Sequence, residues 1–122
     1  DNAYVINYLA YSWIEKGINV EKSLVMLKKA NDLRPDDGYI TDSLGWALFK
    51  LKKYREAKKY MQLAVMLISS DPVINDHFAD VLWMNNNSIQ ARYYWNYVLK
   101  LEKTEEKLKK KIKNKLLFGL KS

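Results

Sequence analysis

The chain has no cysteine among its 122 residues. It therefore forms no disulfide and offers no thiolate as nucleophile or metal ligand, which suits a reducing compartment without excluding an oxidising one. Histidine is nearly absent too. His77 is the only one, so no Ser-His-Asp or Cys-His arrangement can be built with any security. Asp76, His77 and Asp80 fall within one helical turn, but a transition-metal site wants more His or Cys, and a structural or partner-contact role is expected for them. The four glycines are dispersed, so no Gly-rich loop cradles a phosphate. No cofactor is implied and an enzyme is disfavoured. No apolar run approaches the roughly 18 residues of a membrane span. The chain opens Asp1-Asn2-Ala3 without Met or a signal peptide, which reads as a piece of a longer protein with any export signal in the missing part.

What is present is apolar, aromatic and basic. The apolar fraction is 48%, ample for a core, with four Trp and nine Tyr. The formal net charge of +7 is unevenly spread: residues 1–49 carry −2 and residues 50–122 carry +9. Eighteen of the 21 basic residues are Lys, a hydrated point charge less suited than Arg to bidentate reading.

The strongest pattern is a period of 34 residues. Leu44-Gly45, Ala57, Met61 and Ala64 recur as Phe78-Ala79, Ala91, Trp95 and Val98. They occur one unit earlier as Leu9-Ala10, Ser23, Leu27 and Ala30, with one extra residue in the first loop. Small residues at fixed offsets let two helices of a unit cross closely. Such a unit cannot bury its apolar face alone and needs neighbours.

Local signals predict seven helices. The first covers about 3–15 and stops at Lys16-Gly17. Asn19 is expected to cap the second, about 20–33, which ends before Pro35. Asp36-Asp37-Gly38 opens the third, about 38–51, and the fourth covers about 54–68. Ser70 or Asp71 caps the fifth, with Pro72 in its first turn, and the helix ends in Asn85-Asn86-Asn87-Ser88. The sixth covers about 88–102, and Thr104-Glu105-Glu106 starts a seventh reaching about Leu120. Leu108, Ile112, Leu116 and Leu120 form an apolar stripe on that last helix, with Lys nearly everywhere else. A terminal cap on the last repeat explains it best, with a basic amphipathic surface helix as the alternative. The first helix is apolar almost all round, so either further repeats precede it or it makes an interface.

The period resembles that of the tetratricopeptide repeat (TPR) family. The strings Asn7-Tyr8-Leu9-Ala10-Tyr11-Ser12-Trp13, Asp42-Ser43-Leu44-Gly45-Trp46 and Pro72-Val73-Ile74-Asn75-Asp76-His77-Phe78-Ala79-Asp80 resemble the C-terminal repeats of bacterial, particularly alphaproteobacterial, members. The resemblance covers about residues 3–101. It implies an all-α fold, a right-handed α-solenoid of helix-turn-helix repeats with a C-terminal capping helix. The units would be about 3–37, 38–71 and 72–103, with the cap at 104–120, in one domain. Many members are exported or outer-membrane-associated, which favours a periplasmic or envelope location over the cytoplasm. Asn86 stands where a turn Gly is common, and Ser69 and Lys103 where Pro is common.

The resemblance also implies a protein-protein interaction scaffold whose first helices line a concave groove. Mapped by offset, that lining is Tyr4, Asn7, Tyr8, Tyr11, Tyr39, Asp42, Trp46, Phe49, Lys50, Asp76, His77, Asp80, Trp83 and Met84. Rings supply contact area, and Asp42, Asp76 and Asp80 favour a protein or peptide partner with apolar and basic residues. Trp46 and Trp83 have an equal claim to a packing role. The clamp by which some members hold acidic chaperone tails is absent, since only Asn7 of Asn7, Tyr11, Ser43, Val73 and His77 suits it. Two alternatives remain. One is binding of nucleic acid or an anionic membrane through Lys50, Lys52, Lys53, Arg55, Lys58, Lys59 and Lys109–Lys115, although a solvated helix face accounts for those charges. The other is self-association through the first helix.

Overall fold

The computed structural model describes residues 2–120, which form seven helices and no strand. They are α1 (Asn2–Lys16), α2 (Val20–Leu33), α3 (Gly38–Lys50), α4 (Tyr54–Leu67), α5 (Pro72–Met84), α6 (Ser88–Lys100) and α7 (Glu106–Phe118). The fold is all-α. α1 pairs with α2, α3 with α4 and α5 with α6, and each pair packs on the next through α2–α3 and α4–α5. The first helices also touch in series, α1 to α3 and α3 to α5.

Capping sets the helix starts. Asp37 Oδ1 accepts from the backbone N–H groups of Tyr39 and Ile40, and Asp71 Oδ1 from those of Val73 and Ile74. Each satisfies donors that the first turn leaves open. Pro72 sits in the first turn of α5, where its missing N–H costs nothing. Asn19 does not cap as expected. It occupies the N-cap position with φ 50° and ψ 35°, and its side chain makes no capping bond. A left-handed residue aims its side chain away from the first turn, so only its carbonyl, accepting from Ser23 N–H, joins the helix.

The turn inside each pair repeats one backbone device. Gly17, Lys52 and Asn86 are period mates, and all have positive φ, at 70°, 63° and 65°. Glycine takes this conformation freely, Asn tolerates it, and Lys pays for it. The residue after each helix pair is likewise set locally: Arg34, before Pro35, leaves the helix with φ −137°.

Small residues permit the crossings. Ala10, Ala79, Ala57, Ala91, Ala30 and Ala64 are fully buried. At Gly45 a Cβ would stand 2.7 Å from Met61 Sδ, so the α3–α4 crossing leaves no room for even a methyl without movement. Leu27, Met61 and Trp95, one per second helix, fill the space beside them and are fully buried. Each is worth about 1.5–3 kcal/mol of apolar burial.

Candidate partner-binding groove

The first helices α1, α3 and α5 share one face of the molecule, and its character changes from end to end. At the α1 end lies a cavity of about 540 Å³, lined by Tyr4, Asn7, Tyr8, Tyr11, Ser12, Tyr39, Asp42, Ser43, Asp71, Val73 and Ile74. Its rings are open to solvent: Tyr4, Tyr8 and Tyr39 are 69%, 80% and 51% exposed. Tyr11 is half-buried on the cavity floor. Burial, then the neighbouring carboxylates of Glu15, Asp42 and Asp71, raise its phenol well above the ordinary value, so it stays a neutral hydroxyl. Asn7 Oδ1 is buried there with no hydrogen-bond partner among the described residues.

The middle of the face is closed by stacking. Trp46 is buried, with Phe49 stacked on one ring face at 4.5 Å and His77 stacked at 3.8 Å. Lys50 Nζ lies 5.1 Å from the Trp46 ring centroid, and Tyr54 tilts against Phe49. His77 Nδ1 pairs with Asp42 Oδ1 at 2.9 Å, both side chains being nearly inaccessible. Burial opposes charge on the imidazole. Asp42, aided by Asp76 and Asp80, outweighs it and raises the His77 pKa above its ordinary value. Tyr11 also approaches His77, with centroids 6.3 Å apart, so the three first helices are joined through this ring.

The far end is covered by α7. Lys115 Nζ donates to Asp76 Oδ1 at 2.9 Å and to Asp80 Oδ1 and Oδ2 at 3.0 and 3.1 Å. Asp80 Oδ1 also accepts from Trp95 Nε1 at 3.2 Å. Burial, then repulsion from Asp76, push the Asp80 pKa up to about 6 despite the pull of Lys115. Lys115 is itself raised, because Asp80 and Asp76 outweigh its desolvation. Trp83 is half-buried under the end of α7, with Arg92 over its ring at 5.3 Å, and Gly119 passes so close that a Cβ there would meet the indole. Arg92 Nη1 donates to the Leu116 carbonyl. Met84 is half-buried at the end of α5.

All the residues expected along the groove except Met84 thus fall into three sets. Tyr4, Asn7, Tyr8, Tyr11, Tyr39 and Asp42 come together around one open cavity. Trp46, Phe49, Lys50 and His77 form a stack in which the Trp is buried. Asp76, Asp80 and Trp83 lie beneath α7, so the acidic end expected to face a partner is engaged from within the chain. Sequence reasoning missed Ser12, Ser43, Asp71, Val73 and Ile74 as cavity residues, and Lys115 as the cation meeting the carboxylates. Ser43 and Val73 were readable as lining, because they are period mates of Tyr8 and Tyr39.

Comparison with known proteins places this geometry. No family model matches the chain. A TPR repeat-containing protein of Pseudomonas aeruginosa is 32% identical over 65 residues, 53% of this chain and 11% of that protein. The chain spans about a tenth of the length of that curated relative. Among solved structures, the type III secretion translocator chaperone SycD of Yersinia enterocolitica superposes with a TM-score of 0.84 at 16% identity, covering 96% of this chain and 90% of that one. SycD in complex with a peptide of the translocator YopD gives 0.78 at 15% identity, covering 93% and 88%. The first TPR of Spaghetti (RPAP3) bound to an HSP90 peptide gives 0.78 at 19% identity, covering 93% and 89%. None of these carries the finer alphaproteobacterial likeness. The 34-residue period, the paired helices, and the likeness in sequence and structure all lead to one conclusion: the chain has the tetratricopeptide-repeat fold.

Proposed function

We propose that the chain is a protein-interaction scaffold that docks a peptide segment of its partner in the tyrosine-lined cavity between α1, α3 and the start of α5. The observation that carries this reading is the set of three largely exposed tyrosines, Tyr4, Tyr8 and Tyr39, around one solvent-open cavity. Exposed rings converging on a concavity cost solvation and give a partner rigid contact area with few torsions to freeze. The peptide complexes of SycD and of the RPAP3 domain support it, since both are peptides held by the same fold.

The chemistry of the partner follows from what is left accessible. Asp42 is paired with His77, and Asp76 and Asp80 with Lys115, so these carboxylates do not supply a free acidic surface in the closed chain. The cavity selects apolar or aromatic side chains between the tyrosines.

The test is affinity for peptides selected from a random library against the wild-type chain. Tyr8→Ala with Tyr39→Ala removes two exposed rings without touching the core, and should weaken selected peptides at least about tenfold. Equal affinity for a folded double variant would remove the cavity from the binding site.

A further inference from the structure

α7 is attached differently from the other helices. α3 and α5 bury ten and nine residues, whereas α7 buries one, Ile112. Leu108, Leu116 and Leu120 are only partly covered. The fastening is polar instead: Lys115 to Asp76 and Asp80, and the Arg92 side chain to the Leu116 carbonyl. Lys107, Lys110, Lys111 and Lys113 are exposed along the same helix, and like charges one turn apart oppose its holding a fixed form. Beside it, a cavity of about 410 Å³ separates the first turns of α7 from the start of α5. That cavity shares Asp71 and Val73 with the tyrosine-lined one, so the space for a partner runs up to the edge of α7.

The surface under α7 is built for a cation on an amphipathic helix. Two buried carboxylates converge where Lys115 enters, with the Trp95 indole N–H on Asp80 and the Trp95 ring centroid 6.0 Å from the Lys115 nitrogen. Without a cation, Asp76 and Asp80 would face each other uncompensated, a costly arrangement for buried charges. The site therefore holds α7 by charge more than by area, and it would hold another segment of the same design.

We propose that α7 is a strap over the C-terminal half of the groove, that it opens as a unit while α1–α6 stay folded, and that the uncovered surface receives a partner helix built like α7. The required design is a Lys or Arg with an aliphatic residue three positions before and one after, as in Ile112, Lys115 and Leu116. The second half of this rests on the groove being the partner face. The opening itself is measurable without any partner.

The test uses the full chain, hydrogen exchange, and a labelled peptide of sequence 104–120 as the added helix. Lys115→Met keeps much of the side-chain bulk and removes the charge. Amides of α7 should then exchange about tenfold faster with those of α3 and α5 unchanged. The added peptide should bind the variant about tenfold tighter than the wild type, since its competitor within the chain is weakened. The same peptide carrying Lys115→Met should lose that gain. If the variant does not fold, the wild-type chain gives the answer: at one fixed condition the amides of α7 should exchange at least about tenfold faster than those of α3 and α5. Exchange of α7 in step with α5 under all conditions would overturn the strap. A peptide indifferent to Lys115 on either side would overturn the partner design. Neither result depends on Tyr8 or Tyr39, so failure here is distinct from failure of the tyrosine cavity as a docking site.

Discussion

Gly45→Leu is the sharpest perturbation of the helix crossing on which the repeats depend. A Cβ at this position stands 2.7 Å from Met61 Sδ, 2.9 Å from its Cγ and 3.3 Å from its backbone nitrogen. Met61 is fully buried beside Ala57 and Ala64, so its side chain has no solvent to retreat into. Overpacking a tight site costs about 1–3 kcal/mol, and replacing a mid-helix Gly returns up to about 1 kcal/mol of helix propensity. The net loss should be about 1–2 kcal/mol. For a domain of this length, that lowers the melting temperature by roughly 4–8 °C. Thermal melts followed by far-ultraviolet circular dichroism read it directly. Met61→Ala gives the control: alone it leaves a cavity, but combined with Gly45→Leu it makes room for the new side chain. The double variant should be more stable than the sum of the singles by at least about 1 kcal/mol. A Gly45→Leu melt matching the parent, or strict additivity, would refute the close crossing.

Two further outcomes follow from the buried charges and the turns. His77 and Asp80 both have raised pKa values in the folded chain, so the folded state binds their protons more tightly than the unfolded state. Stability should be greatest in mild acid. It should fall as pH rises from about 4 to about 6 through Asp80, and further as His77 deprotonates above its ordinary value of about 6.5. Asp80→Asn should flatten the Asp80 part of the profile; melts at a series of pH values that rise toward pH 8 would contradict the sign. Lys52 holds φ 63° where its period mate Gly17 is free to do so. Lys52→Gly should therefore stabilise by up to about 1 kcal/mol in denaturant titrations, and a loss of stability would show that the left-handed turn is not strained.

Much of the fold was legible because its signals are local. Pro35 ends α2, Asp37 and Asp71 cap α3 and α5, and the small-residue period marks the crossings, all within a few residues of the effect. Asn19 misled because residue type alone does not reveal backbone hand: a left-handed Asn closes the turn and cannot also cap. The cavity was legible by half. Offsets along the first helices gathered Tyr4, Tyr8, Tyr11 and Tyr39, which line it together, since residues on one helix face and their period mates lie side by side. What the period does not contain is pairing between units. Asp42 meets His77 35 residues later, and Asp76 meets Lys115 39 residues later. Charge counting treated those carboxylates as an open acidic end, because no sequence distance distinguishes a free Asp from one answered by a helix folding back.

The central claim is that the exposed tyrosines of the first helices form the surface a partner occupies. Chemical-shift mapping with a library-selected peptide tests it most directly on the wild-type chain. The expected result is perturbation concentrated at Tyr4, Tyr8, Tyr11, Tyr39 and Val73, with α4 and the outer side of α6 silent. Perturbation concentrated instead on the exposed residues of α4, such as Arg55, Lys59 and Met66, with the tyrosines unmoved, would contradict it.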